Sequence, residues 1–509
     1  MRLLSIIKQV FQPDRFAVLA FMLGLTSVFS FPPFGFSFLA LVSLLGLFWL
    51  WARQADTPLK AFKYGLWFGL GQFGLGVSWL FSSVYFYSDA GMISAILIVI
   101  GFVLLLSLFP AFAGGLARLL LPSNRTPNSS FFFLVILLPA SWVMFELVRA
   151  HILGGLPFLL LGGSQLGDLL DGYLPVFGVF GVSFLLASMA GMLLSLWLTA
   201  RFFWGVLALV ALILPAWWLQ QVDWVEPIDQ PVNVALVQGN IAQDLKWQTE
   251  RFIPMVREYI ALTRENWDAD LIVWPETAIP GYYDQASRIV LRNLINEATA
   301  QQKDVLVGVI VREADSDVYY NAMVNLRDSS QQYHKRHLVM FGEYYPFAGL
   351  VSYFANQFGF PFSQFTAGHS AQPLLKLAGH STGVSICFEM MFGAELAADA
   401  RQARYFVTTS NDAWFAHTFE PAQLRHEAQL RARELGREIA RATNTGYTVI
   451  IDVKGQIKAE IPAYEMGVLR GDIQPYHGIT PYARWINWPV WSWVILILGY
   501  AAWKRKYRP

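Results

Sequence analysis

About eight stretches of this chain are too apolar and too long for an ordinary soluble surface, and about seven of them fall within residues 1–221. A helix needs about 20 apolar residues to cross a bilayer. Runs that fit lie at 16–30, 36–52, 64–82, 91–120, 131–148, 176–199 and 202–220, with the last at 486–503. The first two are short and are separated by Phe31-Pro-Pro-Phe-Gly35, which suits a tight turn. The fourth is long enough to be tilted or broken at Pro110. Residues 151–163 are also apolar, but Gly154, Gly155 and Pro157 favour a re-entrant or interfacial segment over a spanning helix. Charged residues are 14% of the chain, against about 25% in soluble domains. They gather after residue 221. The pattern predicts a multispanning helical bundle over 1–221, an extramembrane domain over 222–482, and a last spanning helix with a basic tail over 483–509.

Lysine and arginine in short loops set orientation. Arg2, Lys8 and Arg15 precede the first run; Arg53, Lys60 and Lys63 follow the second; Arg118 and Arg125 follow the fourth. Arg201 follows the sixth, and Lys504, Arg505 and Lys506 follow the last. All fall on one side, which is then cytoplasmic, and 222–482 lies outside. The first run lacks a small-residue cleavage site, so a cleaved signal peptide is not expected. A net charge of +1 gives no pull toward nucleic acid. Intramembrane charge is sparse, which argues against a transporter. Glu146 and Arg149, one turn apart near a helix end, are the exception. They read either as a self-satisfied surface pair or as an anchor for a lipid headgroup or a loop.

In the extramembrane region Val232, Val234 and Leu236 alternate with Asn233 and Ala235, as in a strand. Phe252, Val256, Tyr259 and Thr263 recur at helical spacing, and Ile289, Leu294, Ile295 and Ala298 mark a second helix. Residues 305–311 form a continuous apolar run, as in a strand buried on both faces. Further strands are expected at 319–326, 383–388, 404–409 and 447–453, with a charged helix at 420–441. The pairs Glu427–Arg431 and Glu434–Arg437 on it suit a solvated face. Alternating strands and helices argue α/β layers.

Cys387 is the single cysteine of 509 residues. It has no internal disulfide partner and belongs to no multi-cysteine metal site, which leaves a small buried hydrophobe or a nucleophile. Its neighbours decide. In α/β folds chemistry gathers at the carboxyl ends of strands. Three apolar runs end abruptly in polar residues: Leu271-Ile-Val-Trp-Pro-Glu276, Tyr333-His-Lys335 shortly before Phe341-Gly-Glu343, and Ser385-Ile-Cys387. A carboxylate, an amine and a thiol make a workable acyl-transfer site. A carboxylate in an apolar site has a raised pKa and takes the thiol proton. A fixed ammonium favours thiolate and then stabilises an oxyanion.

These three ends, in this order, resemble the nitrilase superfamily with its Glu–Lys–Cys triad. The runs Val237-Gln-Gly-Asn240, Trp274-Pro-Glu-Thr277, Lys335-Arg-His-Leu338, Phe341-Gly-Glu343, Ile386-Cys-Phe-Glu389, Ser410-Asn-Asp-Ala-Trp-Phe415 and Arg441-Ala-Thr-Asn444 with Gly446, set among spanning helices, resemble the apolipoprotein N-acyltransferase family. The resemblance implies a four-layer αββα domain on an eight-helix bundle in a bacterial inner membrane, with the catalytic domain periplasmic. It implies transfer of an acyl chain from a phospholipid, typically phosphatidylethanolamine, through a Cys387 thioester to the amine of a diacylglyceryl-cysteine apolipoprotein. It implies no metal or other cofactor, and a monomer is expected. Glu276 matches the general base, Lys335 the oxyanion stabiliser, Glu343 a second carboxylate orienting Lys335, and Glu389 a supporting acid. Trp247 matches an aromatic linked to substrate binding; Glu146 and Arg149 join it as substrate-binding candidates. Gly154 to Gln165 resembles the family's loop at the membrane face. Phe388 stands where close relatives usually carry tyrosine, so a role needing that hydroxyl does not carry over.

Asp412, His417 and His426 lack tight metal-ligand spacing. The aromatic-rich stretch 344–365, with glycines at 342, 349, 359 and 368, reads as a mobile, membrane-dipping lid. Two other classes stay open: a membrane-tethered amidase acting on a soluble amide, and a scaffold carrying a decayed hydrolase domain.

Overall fold

The computed structural model describes residues 2–87, 91–121, 131–199, 202–313, 316–344, 365–415 and 417–507. They form two compact units: Met1–Phe81 with Met92–Val222 and Trp485–Pro509, and Ser82–Gly91 with Asp223–Arg484. The expected lid falls almost wholly outside the described residues.

The first unit is helical. Gly91–Leu120, Phe133–His151 and Asp171–Leu198 are long and apolar enough to cross a membrane, and Arg15–Val28, Phe38–Gln54 and Gly205–Gln220 are shorter apolar helices. Trp488–Tyr507 closes the chain. Pro110 sits inside Gly91–Leu120 without ending it. The run expected at 64–82 is instead a helix over Pro58–Gly76. Its start was legible: Thr57 accepts the Lys60 N–H at 3.3 Å and Pro58 follows it, which together suit a first turn. Leu80–Tyr87 is a separate short helix. An additional helix covers Arg2–Phe11.

Glu146 and Arg149 lie buried on the helix Leu138–His151. Arg149 donates to the carbonyls of Leu156 at 2.7 Å and Phe158 at 2.5 Å, and its guanidinium covers the Phe73 ring. Glu146 accepts the Leu161 N–H at 3.1 Å. This is the loop-anchor arrangement: both charges are spent on the irregular segment between Ile152 and Leu161, whose backbone groups need partners at that depth. Neither residue forms the surface pair that their spacing also allowed.

Among the described residues the second unit holds fifteen strands: β1 (Val225–Pro227), β2 (Val232–Gln238), β3 (Leu271–Val273), β4 (Ile279–Tyr282), β5 (Asp304–Arg312), β6 (Tyr319–Asn325), β7 (Gln332–His334), β8 (Leu375–Leu377), β9 (His380–Ile386), β10 (Tyr405–Ser410), β11 (Ile439–Thr443), β12 (Thr448–Ile451), β13 (Ile457–Ile461), β14 (Gly467–Ile473) and β15 (Tyr476–Gly478). One large sheet runs β14-β2-β3-β5-β6-β7, with β4 beside β5; a second runs β13-β12-β11-β10-β9-β8; β1 and β15 pair separately as a two-stranded sheet. Strands β2, β3 and β5 are mutually parallel, as are β9, β10 and β11.

Alternation explains the layers. Val232, Val234, Leu236, Leu271, Val273 and Leu306 of the first sheet share one buried cluster with Val384, Ile386, Val407, Ala440 and Ala442 of the second. The intervening residues Ala235, Val237, Ile272, Val305 and Val307 pack instead with Val256, Tyr259 and Leu294, from the helices Thr249–Arg264 and Arg292–Gln301. The helices Gly393–Ala400 and Glu420–Leu435 pack beside β9, β11 and β12. The result is a four-layer αββα sandwich.

Two expectations are corrected here. The charged helix read at 420–441 ends at Leu435, where Gly436 takes a left-handed φ of 63°, the conformation that suits glycine best. From Ile439 on, the segment belongs to β11, a central strand. Nor is the helix face solvated: Arg431 and Glu434 are buried, paired at 2.7 Å, while Glu427 meets Arg431 at 3.2 Å. Arg437 turns from Glu434 to the carbonyls of Ala400, Ala403 and Gly478.

Candidate active site

Each of Glu276, Lys335 and Cys387 follows a strand. Glu276 lies three residues beyond β3, Lys335 directly after β7, and Cys387 directly after β9. The Glu276 turn approaches β5 so closely that a Cβ on Gly308 would stand 2.2 Å from the Pro275 carbonyl and 2.8 Å from the Glu276 Cα. Only glycine admits that approach. Cys387 has a φ of 52°, a left-handed backbone that costs a non-glycine residue ~1 kcal/mol or more and is common at reactive turns.

Lys335 is 1% exposed and Glu276 6%. The Lys335 Nζ stands 3.3 Å from the Glu276 Oε1 and 2.8 Å from the Glu343 Oε1. Asn321 of β6 donates to both carboxylates, at 2.7 and 3.0 Å. The second Glu276 oxygen accepts the Asn411 N–H at 2.9 Å, and the second Glu343 oxygen accepts that of Val339 at 2.8 Å. An amide chain fixes Asn411: it donates to Gln243 at 2.9 Å and accepts from Asn444 at 2.9 Å. Behind it, Asp412 accepts from Ser410 and from Arg441, a buried arginine on β11.

The electrostatics depart from the sequence expectation. Burial pushes the Glu276 carboxyl up, but the Lys335 ammonium, Asn321 and Lys246 outweigh it and hold it below its ordinary value. For Lys335, burial pulls down, yet Glu276, Glu343 and Cys387 raise it well above the ordinary lysine range, so it stays charged. Burial and the negative Glu276 push the Cys387 thiol well above its ordinary value, and the opposing pull of Lys335 does not win. The resting sulfur is a thiol. Two carboxylates absorb the ammonium that was expected to favour thiolate.

Glu389 is a clamp. One of its oxygens accepts the main-chain N–H groups of Arg336 at 2.6 Å and His337 at 3.1 Å; the other accepts that of Ile386 at 2.6 Å. The Tyr333 hydroxyl donates to it as well, at 2.9 Å. The lysine turn and the cysteine turn are thereby tied to one carboxylate. Phe388 packs edge-on against Phe392 and His337. Trp247 is 53% exposed at the end of the short helix Gln243–Lys246. His417 lies against the Tyr464 ring.

Sequence reasoning missed Asn321, Gln243 and Lys246, and assigned no role to Asn411 or Asn444. The signal for Asn321 was one polar residue inside the otherwise aromatic and apolar run 319–324.

Comparison with known proteins bears on this assembly. Residues 23–192 match the family described as the apolipoprotein N-acyltransferase N-terminal domain, and residues 233–480 match the carbon-nitrogen hydrolase family. The chain is 41% identical over 491 residues to the apolipoprotein N-acyltransferase of Methylococcus capsulatus, covering 96% of both chains. It is 37% identical over 488 residues to that of Nitrosomonas europaea, covering 94% of this chain and 96% of the other. A crystal structure of a CN-hydrolase superfamily protein from Xanthomonas campestris aligns with a TM-score of 0.36 and 18% identity, over 48% of this chain and 91% of that one. Matched across both its apolar helical unit and its α/β unit, this chain belongs to the apolipoprotein N-acyltransferase family.

Proposed function

We propose that this protein moves an acyl chain from a membrane phospholipid, through a thioester on Cys387, to the α-amine of a diacylglyceryl-cysteine at the N-terminus of an apolipoprotein. The observation that carries the reading is Lys335 bridging Glu276 and Glu343 in a buried site whose charges reach the lone thiol. Phosphatidylethanolamine is the expected donor. The proposed setting is a monomer in the inner membrane, with the α/β unit periplasmic and residues 1–221 and 483–509 in or beside the bilayer.

Glu276 is the base. Its carboxyl is held low and the Cys387 thiol high, so a resting proton transfer runs uphill. The transfer is therefore coupled to attack: as sulfur bonds the ester carbonyl carbon, the proton passes to Glu276. Lys335 faces the developing oxyanion, and Glu343 and Asn321 fix its position. The carbon–oxygen bond then breaks, and the Glu276 proton leaves with the lysophospholipid hydroxyl. In the second half, the acceptor nitrogen bonds the thioester carbonyl and loses a proton to Glu276. The carbon–sulfur bond breaks, and that proton returns to sulfur. Trp247, exposed at the end of the site's short helix, is the proposed aromatic contact for substrate.

The test is intact-protein mass spectrometry after incubation with phospholipid and no acceptor. Wild type gains one acyl mass, on the peptide carrying Cys387, and discharges it when a diacylated lipopeptide is added. Cys387→Ala gains none. An acyl mass of equal yield on Cys387→Ala would overturn the reading.

A further inference from the structure

Lys246 ends the short helix Gln243–Lys246 and takes no part in the transfer described above. It is 2% exposed. Its Nζ donates to the main-chain carbonyl of Glu276 at 3.3 Å, and its charge and that of the Glu276 carboxylate act on each other. A buried ammonium is costly unless an opposite charge offsets the lost hydration. Among the described residues, the acidic side chain that acts on Lys246 is Glu276. Burial pulls the Lys246 ammonium down to about 7, against the upward pull of Glu276, so Lys246 carries its charge through the range where carboxylates titrate. The other charged or titratable groups facing Glu276 are Lys335, Cys387 and Asp412, with Glu343 joined to it through Lys335.

We propose that Lys246 is a positioning residue for acyl transfer: a second buried ammonium, tied to the main chain of Glu276, that keeps the Glu276 carboxylate charged and ready to take the Cys387 proton. A packing role alone would need only the alkyl stem. A charge role makes a different demand. Removing the ammonium removes one of the groups that stabilise ionised Glu276, so the base titrates at a higher pH and the acid limb of the rate profile moves up.

This inference rests on the function proposed above. The experiment is single-turnover acylation of the full-length enzyme by phospholipid in mixed micelles, followed by intact mass from about pH 4 to pH 8, for wild type, Lys246→Met, Lys246→Gln and Lys246→Arg, with Tm measured for each. Wild type acquiring no acyl mass is a failure of the function itself. With wild type active, the Met and Gln variants are expected to shift the acid limb upward by about one pH unit, so that their deficit near pH 4 exceeds that near pH 7 by roughly three- to fivefold. Lys246→Arg keeps the wild-type limb. A deficit that is the same at every pH, or a profile that coincides with wild type, overturns the inference. Should Met and Gln both fail to fold, Lys246→Arg decides: an acid limb displaced with the charge retained overturns it, and a wild-type limb supports it.

Discussion

At Cys387 the local charges work against a resting thiolate, because burial and Glu276 outweigh Lys335. Under the proposed function the thiol reacts by arrangement rather than by ionisation, and a small alkylating reagent tells the two apart. Iodoacetamide labelling of Cys387, the chain's only thiol, is expected to be slow at neutral pH and to keep rising beyond pH 9, above the ordinary thiol range. A labelling rate that levels off below pH 8 contradicts this. Glu276, Lys335 and Cys387 were legible in the sequence because each breaks an apolar run with a group of unlike chemistry. Lys246 and Asn321 were not. A lone lysine beside a tryptophan reads as surface, and a lone asparagine in a strand has no sequence mark that says where its amide points. The sign of the Cys387 shift was also out of reach, since it depends on how many carboxylates share one ammonium.

Between strands the fit is tight where the site needs it. Gly308 on β5 gives the Glu276 turn its room. Gly308→Ala is expected to displace the Pro275–Glu276 backbone and lower acylation by about 10²-fold, as misplacements of about 1 Å do, while far-ultraviolet circular dichroism keeps its wild-type form. Full activity in that variant would show that the turn relaxes freely. At this scale the sequence was legible where periodicity was clean, as in β2, β5 and the helix Thr249–Arg264. It failed across 420–441, where Arg437, Glu438 and Arg441 disguise a central strand as more helix. Their charges are accommodated by partners far along the chain: backbone carbonyls for Arg437, Lys458 for Glu438 at 2.9 Å, and Asp412 for Arg441. No local pattern announces such partners. Gly436 did mark the helix end, and helix-terminating glycine was the available clue.

The α/β unit is not one continuous stretch of chain, because Ser82–Gly91 belongs to it. Within that unit the Tyr87 hydroxyl donates to the Ala413 carbonyl at 3.0 Å, and its ring meets Trp414 edge-on at 5.4 Å. A fragment spanning 223–484 lacks both contacts, worth ~1–2 kcal/mol together. Its Tm is expected to be several degrees below that of the same fragment mixed with a peptide covering 80–91 at saturating concentration. An unchanged Tm would show that the segment contributes nothing to that unit. The helical bundle and the α/β layering were legible from hydropathy and alternation, since both follow from where apolar side chains hide from water; the four-layer sandwich came only from the family resemblance. The discontinuity of the second unit was not, because the apolar run read at 64–82 carried the start of that segment into the helical unit. One feature reaches across the sandwich: Glu389 grips Ile386 at the carboxyl end of β9 in one sheet and Arg336 and His337 just beyond β7 of the other. Under the proposed function, turnover thereby depends on how the two sheets align, because one carboxylate sets the lysine turn against the cysteine turn.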